Sequence, residues 1–465
     1  MTEQLSGMDS AFLSLESPET PMHVVGVLLL DPAAGEGFST QRLHNVIAER
    51  VPLMPPFCRR LIDVPLDLDK PYWHYDTSVD LAEHVFDATL PAPGDLRTLG
   101  DLVSEIATVC LDRSKPLWEL HIVDGMADDG VALVAKVHHS TLYGAAGAEF
   151  IAELLDLTPE SPDRPVVVPE EPSGVPGRGT LTRRAAMTQA RAPLTLARLL
   201  IRGGRNTVST VRALGGAVNR HGRGALPPAA PRMPISGAPT ARRTAAFAAL
   251  SLDRAREVKT AAGVTLNDVV LATVALGLRR YLAERDMLPD RPVVAGVPVN
   301  AGDGQSSGTN SLATMLVGLP VDIDDPAELM TAVHAATVAA KEFTAAIGPT
   351  AISELAEMTV PAALSFVTWL TRSLGLSTLQ PTLLNLVVSN VMGPPIPLYL
   401  AGARVDAIFP MGPLLTGAGM NITVLSNLDR FDVGIMACPD LVDDAWGLAE
   451  SLPACLEELA AATVG

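Results

Sequence analysis

Between Glu171 and Asp253 this chain carries not one Asp or Glu, although it holds 52 acidic residues in all and a formal net charge of −18. The segment Pro165 to Arg243, which covers most of that gap, opens Pro- and Glu-rich (Pro165, Pro169, Glu170, Glu171, Pro172). It closes Pro-rich again (Pro227, Pro228, Pro231, Pro234, Pro239) and carries Arg183, Arg184, Arg191, Arg198, Arg202, Arg205, Arg212, Arg220 and Arg223 between. Such a break in composition marks a linker, and 465 residues exceed what one hydrophobic core usually organises. The expected organisation is a first domain over residues 1–164, a linker over 165–243 and a second domain over 244–465.

Both blocks mix two periodicities. The first has strand-like Val24 to Leu30 and Val131 to Val137 beside helical Gln41 to Arg50 and Leu99 to Leu111. The second opens with a helix over Leu266 to Leu282, capped by Thr265. Strand-like Val293 to Val299, a helix from Pro326 to about Ala345, and strand-like Leu386 to Val391 follow. Met420 to Leu425 and Phe431 to Ala437 flank turn residues and predict a hairpin. The fold class is therefore α/β (α+β), with mixed sheets, flanking helices and a partly helical linker.

Inside the linker, Leu194, Ala197, Leu200, Ile201, Val208, Val211, Leu214 and Val218 fall near a 3.6-residue spacing among the arginines. One reading is attachment to an anionic membrane or lipid-droplet surface. The other is an interdomain helix whose apolar face packs on the domains. Gly203, Gly204, Gly215 and Gly216 weaken a helix there.

The acidic balance argues against a nucleic-acid partner, because phosphate contacts need clustered Lys and Arg. Cys58, Cys110, Cys438 and Cys455 form no CxxC pair, which suits reduced thiols in a cytosolic protein. Met1 to Leu15 lacks a basic start and an apolar run, and no segment approaches the ~20 apolar residues of a membrane span. The expected location is cytoplasmic, with peripheral attachment at the inner membrane or lipid droplets as the linker's contribution. His23, His44, His74, His84, His121, His221 and His334 show no metal-ligand spacing, so no metal or other cofactor is expected. Gly302 to Gly308 lacks the ending of a phosphate-binding loop, and Asp443-Asp444 reads as a solvated turn.

Chemistry concentrates where the apolar run Val131 to Val137 ends at His138-His139, followed by Ser140, Thr141, Leu142, Tyr143 and Gly144, then an apolar helix from Ala145 to Leu157. A histidine at a strand end is held rigidly, and its ordinary pKa near 6.5 lets it accept a proton around neutrality. Taken alone, such a pair is more often structural. The run resembles the HHxxxDG motif of coenzyme A-dependent acyltransferases related to chloramphenicol acetyltransferase.

The chain as a whole is similar to bacterial wax ester synthase/diacylglycerol acyltransferases. Leu5-Ser6-Gly7-Met8-Asp9-Ser10-Ala11-Phe12-Leu13 and Thr20-Pro21-Met22-His23 resemble that family's opening. Leu111 to Glu119, with Pro116-Leu117-Trp118, resembles its PLW region, Leu266 to Ala272, with Asn267-Asp268, its ND region, and Val387 to Pro394 and Gly419 to Ile422 two C-terminal segments. The resemblance implies two chloramphenicol-acetyltransferase-like domains with a tunnel between them, acyl-CoA entering as a substrate, and diacylglycerol or a long-chain alcohol as acceptor. It implies His139 as the general base. His138 and Gly144 would support the turn, Pro116, Leu117 and Trp118 would line the tunnel or serve structure, and Asp268 would fix or cap its helix start. Asn267 is a candidate oxyanion donor.

Two positions depart from the family pattern. Tyr143 stands where the motif has Asp, and Pro298-Val299-Asn300-Ala301-Gly302 lacks the family's Arg. The family's acid is a structural ion-pair partner, so the two losses are consistent with removal of one buried pair, since losing one partner alone would strand a charge. A non-catalytic acyl-CoA or lipid-binding protein is accordingly the alternative reading, and transfer to a different alcohol is a second one.

Overall fold

The computed structural model describes residues 2–34, 37–76, 79–141, 152–160, 176–190, 229–300, 312–347, 361 and 383–464. Two six-stranded mixed sheets dominate, accompanied by a small three-stranded one. The strands, in chain order, are β1 Thr2–Gln4, β2 His23–Asp31, β3 Arg59–Ile62, β4 Tyr72–Tyr75, β5 Val85–Thr89, β6 Trp118–Asp124, β7 Val131–His138 and β8 Thr244–Ser251. They continue as β9 Val293–Asn300, β10 Leu312–Leu319, β11 Leu386–Val391, β12 Tyr399–Leu400, β13 Ala403–Met411, β14 Met420–Asn427 and β15 Arg430–Ala437. The helices used below are α1 Gly7–Leu15, α2 Thr40–Arg50, α3 Leu96–Thr108, α4 Leu252–Ala262, α5 Leu266–Ala283, α6 Pro326–Ile347 and α7 Ala445–Val464.

The first large sheet runs β12-β13-β2-β7-β6-β5 and the second β10-β9-β11-β14-β15-β8. Every residue of β7 is buried, as its unbroken apolar run demands of a central strand covered on both faces. One face of it packs Leu133, Ala135 and Val137 with Ile47, Phe57 and Trp118. Ala132 and Val134 on the other face pack with Leu99 and Val103 of α3. In the second lobe, α5 is apolar almost all round and lies in the core among Val293, Leu386, Leu448 and Leu452.

The sheets do not follow contiguous halves of the chain. β12 and β13 come from the C-terminal block, yet β13 pairs antiparallel with β2 over Met411↔Val25 to Arg404↔Asp31. A register shift between Val405 and Ala407 leaves the Ile408 amide to a side chain, and the buried Asp432 of β15 accepts it at 2.8 Å. Gly434 is needed on the same strand, because a Cβ there would run into the Pro410 carbonyl. The lobes meet a second time at α3. Ser104 Oγ accepts from the Ala245 amide at 2.8 Å on edge strand β8, and a Cβ on Gly100 would lie 2.7 Å from the Ala245 carbonyl. An apolar cluster spans the seam, joining Leu99 and Val103 to Phe247, Phe409 and Met436.

The linker falls partly within view. Residues 178–190 are helical, with Leu181 and Ala185 buried against Tyr72 of the small sheet and Val64 just after its strand β3, and Gln189 Nε2 donates to the Leu68 carbonyl at 2.7 Å. The apolar stretch Leu194 to Val218 and the arginines Arg191 to Arg223, on which the choice between surface attachment and interdomain packing rests, lie outside the described residues. Among the described residues no single helix is long and apolar enough to cross a membrane. The bent pair α4–α5, at 105°, reaches that length and composition together, but α5 is core.

The helix expected over Ala145 to Leu157 ends earlier. Residues 152–154 are helical and Asp156 instead bridges to Tyr399, with reciprocal backbone hydrogen bonds of 2.8 Å. Its carboxylate takes Arg50 Nη2 on both oxygens at 2.8 and 2.6 Å, and Arg50 Nη1 also donates to the Leu154 carbonyl. Both side chains are about fully buried, at 3% and 2% exposure, so neither charge has water to fall back on. Asp156→Ala should therefore cost about 3–5 kcal/mol by stranding the Arg50 guanidinium. The Arg50→Met/Asp156→Leu pair should recover most of it, as read from urea midpoints.

Candidate active site

The two histidines sit where β7 stops. His138 is its last residue, opposite His23 of β2, and its amide donates to the Leu117 carbonyl at 2.9 Å. The His139 amide donates to the Met22 carbonyl at 2.8 Å, and the Thr141 amide closes the turn onto the His138 carbonyl at 2.8 Å. Flanking strands thus fix the backbone of both residues before any side chain is considered.

The rings differ sharply. His138 is fully buried, and its Nδ1 lies 2.6 Å from Ser140 Oγ and accepts the Ser140 amide at 3.1 Å. A nitrogen that accepts a backbone N–H carries no proton, so neutral His138 has its hydrogen on Nε2. His139 is half-buried, with Phe12 of α1 stacked on it at 4.1 Å between centroids and 29° between planes. Its Nδ1 is sealed from solvent without a hydrogen-bond partner. Burial, and then the adjacent His138, push its pKa down to about 4. It is consequently a neutral imidazole throughout the physiological range, as a proton acceptor must be.

Helix α1 explains the opening signature. Ser6 caps it, accepting the Asp9 amide at 3.1 Å and donating to the Asp9 carboxylate at 2.6 Å. This start sets the phase that brings Phe12 to His139 and, one turn on, Glu16 towards His138. The Glu16 side chain is 5% exposed. Oε1 lies 3.3 Å from His138 Nε2, off the line of a good hydrogen bond, and accepts the Met22 amide at 3.3 Å. Oε2 accepts from Arg113 Nε and Nη2 at 3.1 and 2.8 Å. Burial raises this carboxyl's pKa, but His138 and Arg113 outweigh it and hold it at about 2.

The remaining expected residues serve the frame. Pro116, Leu117 and Trp118 are buried, and Trp118 Nε1 donates to the Phe57 carbonyl at 2.8 Å while its ring stacks on His84 at 4.3 Å. Their reach to the turn is the Leu117 carbonyl that holds the His138 amide. Asp268 completes a capping box with Thr265 at the start of α5 and also takes His334 Nδ1 at 2.8 Å. Burial raises its pKa, yet the bonds from His334 and Thr265 hold it below the ordinary carboxylate value. Asn267 is half-buried on the same first turn, and among the described residues no hydrogen bond joins it to His139. Gly144 and Tyr143 lie outside the described residues.

His334 had no expected role, and neither did Glu16, Arg113 or Ser140. Phe12, Arg113 and Ser140 lie inside motif runs without a role of their own, and the i,i+4 spacing of Phe12 to Glu16 is the signal that could have found Glu16. Asp443 and Asp444 are exposed, as a solvated turn would be, but both are employed. Asp443 accepts from Tyr281 Oη at 2.7 Å and Arg285 Nε at 2.8 Å, and Asp444 caps α7 through the Gly447 amide at 2.7 Å. All four cysteines are free, and among the described residues no group of three His, Cys, Asp or Glu could hold a metal.

Comparison with known proteins agrees across the whole length. A model of the wax ester synthase/diacylglycerol acyltransferase catalytic domain matches residues 5–270, and one of the WS/DGAT C-terminal domain matches residues 308–460. A putative diacylglycerol O-acyltransferase of Mycobacterium tuberculosis is 37% identical over 98% of this chain and 90% of its own. A probable diacylglycerol O-acyltransferase of the same species is 33% identical over 97% of each. The wax ester synthase/diacylglycerol acyltransferase from Marinobacter aquaeolei VT8 superposes with a TM-score of 0.69 at 27% identity, covering 99% of this chain and 100% of that one. The first condensation domain of the CDA synthetase shares the fold alone, at a TM-score of 0.56 and 15% identity over 100% and 98% of the two chains.

Two buried rings give the fold a pH signature. His139 is held at about 4 and His23, by burial and then Lys136, at about 3. Unfolded histidines bind protons from about pH 6.5 downwards while these folded ones refuse them, so stability falls as pH drops through that window. The melting temperature should decline from pH 6.5 towards 4, and His23→Gln should flatten the slope. A profile that is level over this range would contradict the assignment.

Proposed function

Because this chain belongs to the wax ester synthase/diacylglycerol acyltransferase family, we propose that it transfers a long-chain acyl group from acyl-CoA to a hydroxyl, with His139 as general base. The acceptor class is diacylglycerol, giving triacylglycerol, or a long-chain alcohol, giving a wax ester. The single observation that carries the role of His139 is its placement: a neutral, half-buried ring under Phe12, on a backbone fixed by β2 and β7.

A thioester is already activated, so the chemistry needs a base, a donor towards the carbonyl oxygen, and alignment. The acceptor oxygen attacks the thioester carbon as its proton passes to His139. The tetrahedral intermediate collapses, the carbon–sulfur bond breaks, and the imidazolium returns the proton to the leaving coenzyme A thiolate. Base catalysis supplies on the order of 10²–10⁴-fold, and alignment of two lipidic substrates adds to it. Coenzyme A enters as a substrate, and no resident cofactor takes part in this scheme. Tyr143 in place of the motif acid does not remove the base itself, which favours turnover over mere binding. Attachment to a membrane or lipid droplet would bring the enzyme to its lipid acceptors, and within the linker it would fall to the basic residues beyond the packed helix at 178–190.

Purified protein incubated with labelled palmitoyl-CoA and either dioleoylglycerol or hexadecanol should release labelled neutral lipid. His139→Ala should lower kcat by about 10²–10⁴-fold. The acid limb of the wild-type kcat/KM profile should fall near pH 4 and not near 6.5, following the depressed ring. Saturable binding of palmitoyl-CoA by wild-type protein with no ester formed from either acceptor would overturn the catalytic reading in favour of a binding protein.

A further inference from the structure

The geometry points to Glu16 as the positioning residue of the catalytic turn, a carboxylate at the C-cap of α1 that, with Arg113, braces His138 and so aims His139. This rests on the reading of His139 as the base. It addresses the loss at Tyr143: the motif acid is gone from the loop, and a buried acid on another element meets the same turn.

Glu16 touches the turn at two points through one oxygen. Oε1 holds the Met22 amide at 3.3 Å, and the carbonyl of that same Met22 holds the His139 amide. Oε1 also faces His138 Nε2 at 3.3 Å, the nitrogen that must carry the proton because Nδ1 accepts the Ser140 amide. The carboxylate's charge therefore favours the tautomer that the Ser140 contact requires, with Nδ1 held by Ser140 and Nε2 facing the carboxylate. Arg113 completes the arrangement from the far side, reaching Oε2 with two nitrogens and donating also to the Leu13 carbonyl of α1. A buried carboxylate without that guanidinium would be costly, which gives the pair a reason to exist. Glu16 is the C-cap of α1, its amide bonded to the Phe12 carbonyl, so the end of one helix brings Phe12 to His139 and Glu16 to His138.

Glu16→Gln keeps the shape but replaces the charge. In the full-length chain, kcat with palmitoyl-CoA and hexadecanol or dioleoylglycerol should drop on the order of 10- to 100-fold, with the KM for palmitoyl-CoA little changed. In histidine-selective ¹⁵N spectra the wild type should show His138 as the Nε2–H tautomer, and Glu16→Gln should show it exchanging between tautomers. The spectra need no turnover, so an inactive wild type that still shows this change would defeat the base assignment and leave the positioning role standing. Wild-type kcat together with unchanged His138 signals would overturn the proposal. Should Glu16→Gln fail to fold, Arg113→Gln, at the more exposed end of the pair, carries the same test, and unaltered kcat and His138 signals there would count equally against it.

Discussion

Everything at the site depends on how β7 ends. A fully buried strand cannot leave its last amides unpaired, and here the two neighbours on either side take them: Leu117 before β6 accepts from His138, and Met22 before β2 accepts from His139. Those bonds place two imidazoles with main-chain precision. Side chains then divide their tasks, as Ser140 holds the inner ring, Glu16 faces its far nitrogen and Phe12 covers the outer one. The outer ring loses its affinity for protons through the same burial that shields it. Position and protonation state thus come from one packing arrangement.

Three ion pairs compensate charges drawn into the first lobe. Lys136, one position from Val137 and almost wholly buried, meets Glu119 at 3.1 Å. Glu16 meets Arg113, and Asp156 meets Arg50. These charges arrive with partners from other elements, because an isolated one would cost several kcal/mol. Such pairs add little net stability but make alternative packings expensive.

Much of this architecture was legible in residue order. Strand β7, helix α5 with its Thr265 cap and the β14–β15 hairpin followed from apolar spacing and turn residues, since local periodicity determines local elements. The His-His turn was visible because a motif is contiguous. Glu16 and Arg113 were not, because their meeting depends on how α1 docks, and 97 positions separate them. Nor could spacing tell that Ala403–Met411 leaves its own block to pair with β2. An apolar strand reads the same whichever sheet receives it. Asp432, buried with the Ile408 amide, becomes intelligible only once that exchange is seen.

That exchanged strand has a bearing on how the protein is made. While β13 is still to be synthesised, β2 has a bare edge, its amides and carbonyls open along one side. The first lobe emerges from the ribosome early yet cannot finish its sheet until residues 403–411 are available, so it must wait through most of translation in a half-closed form. Cellular yield of this protein should consequently be governed by what shelters that edge during the wait.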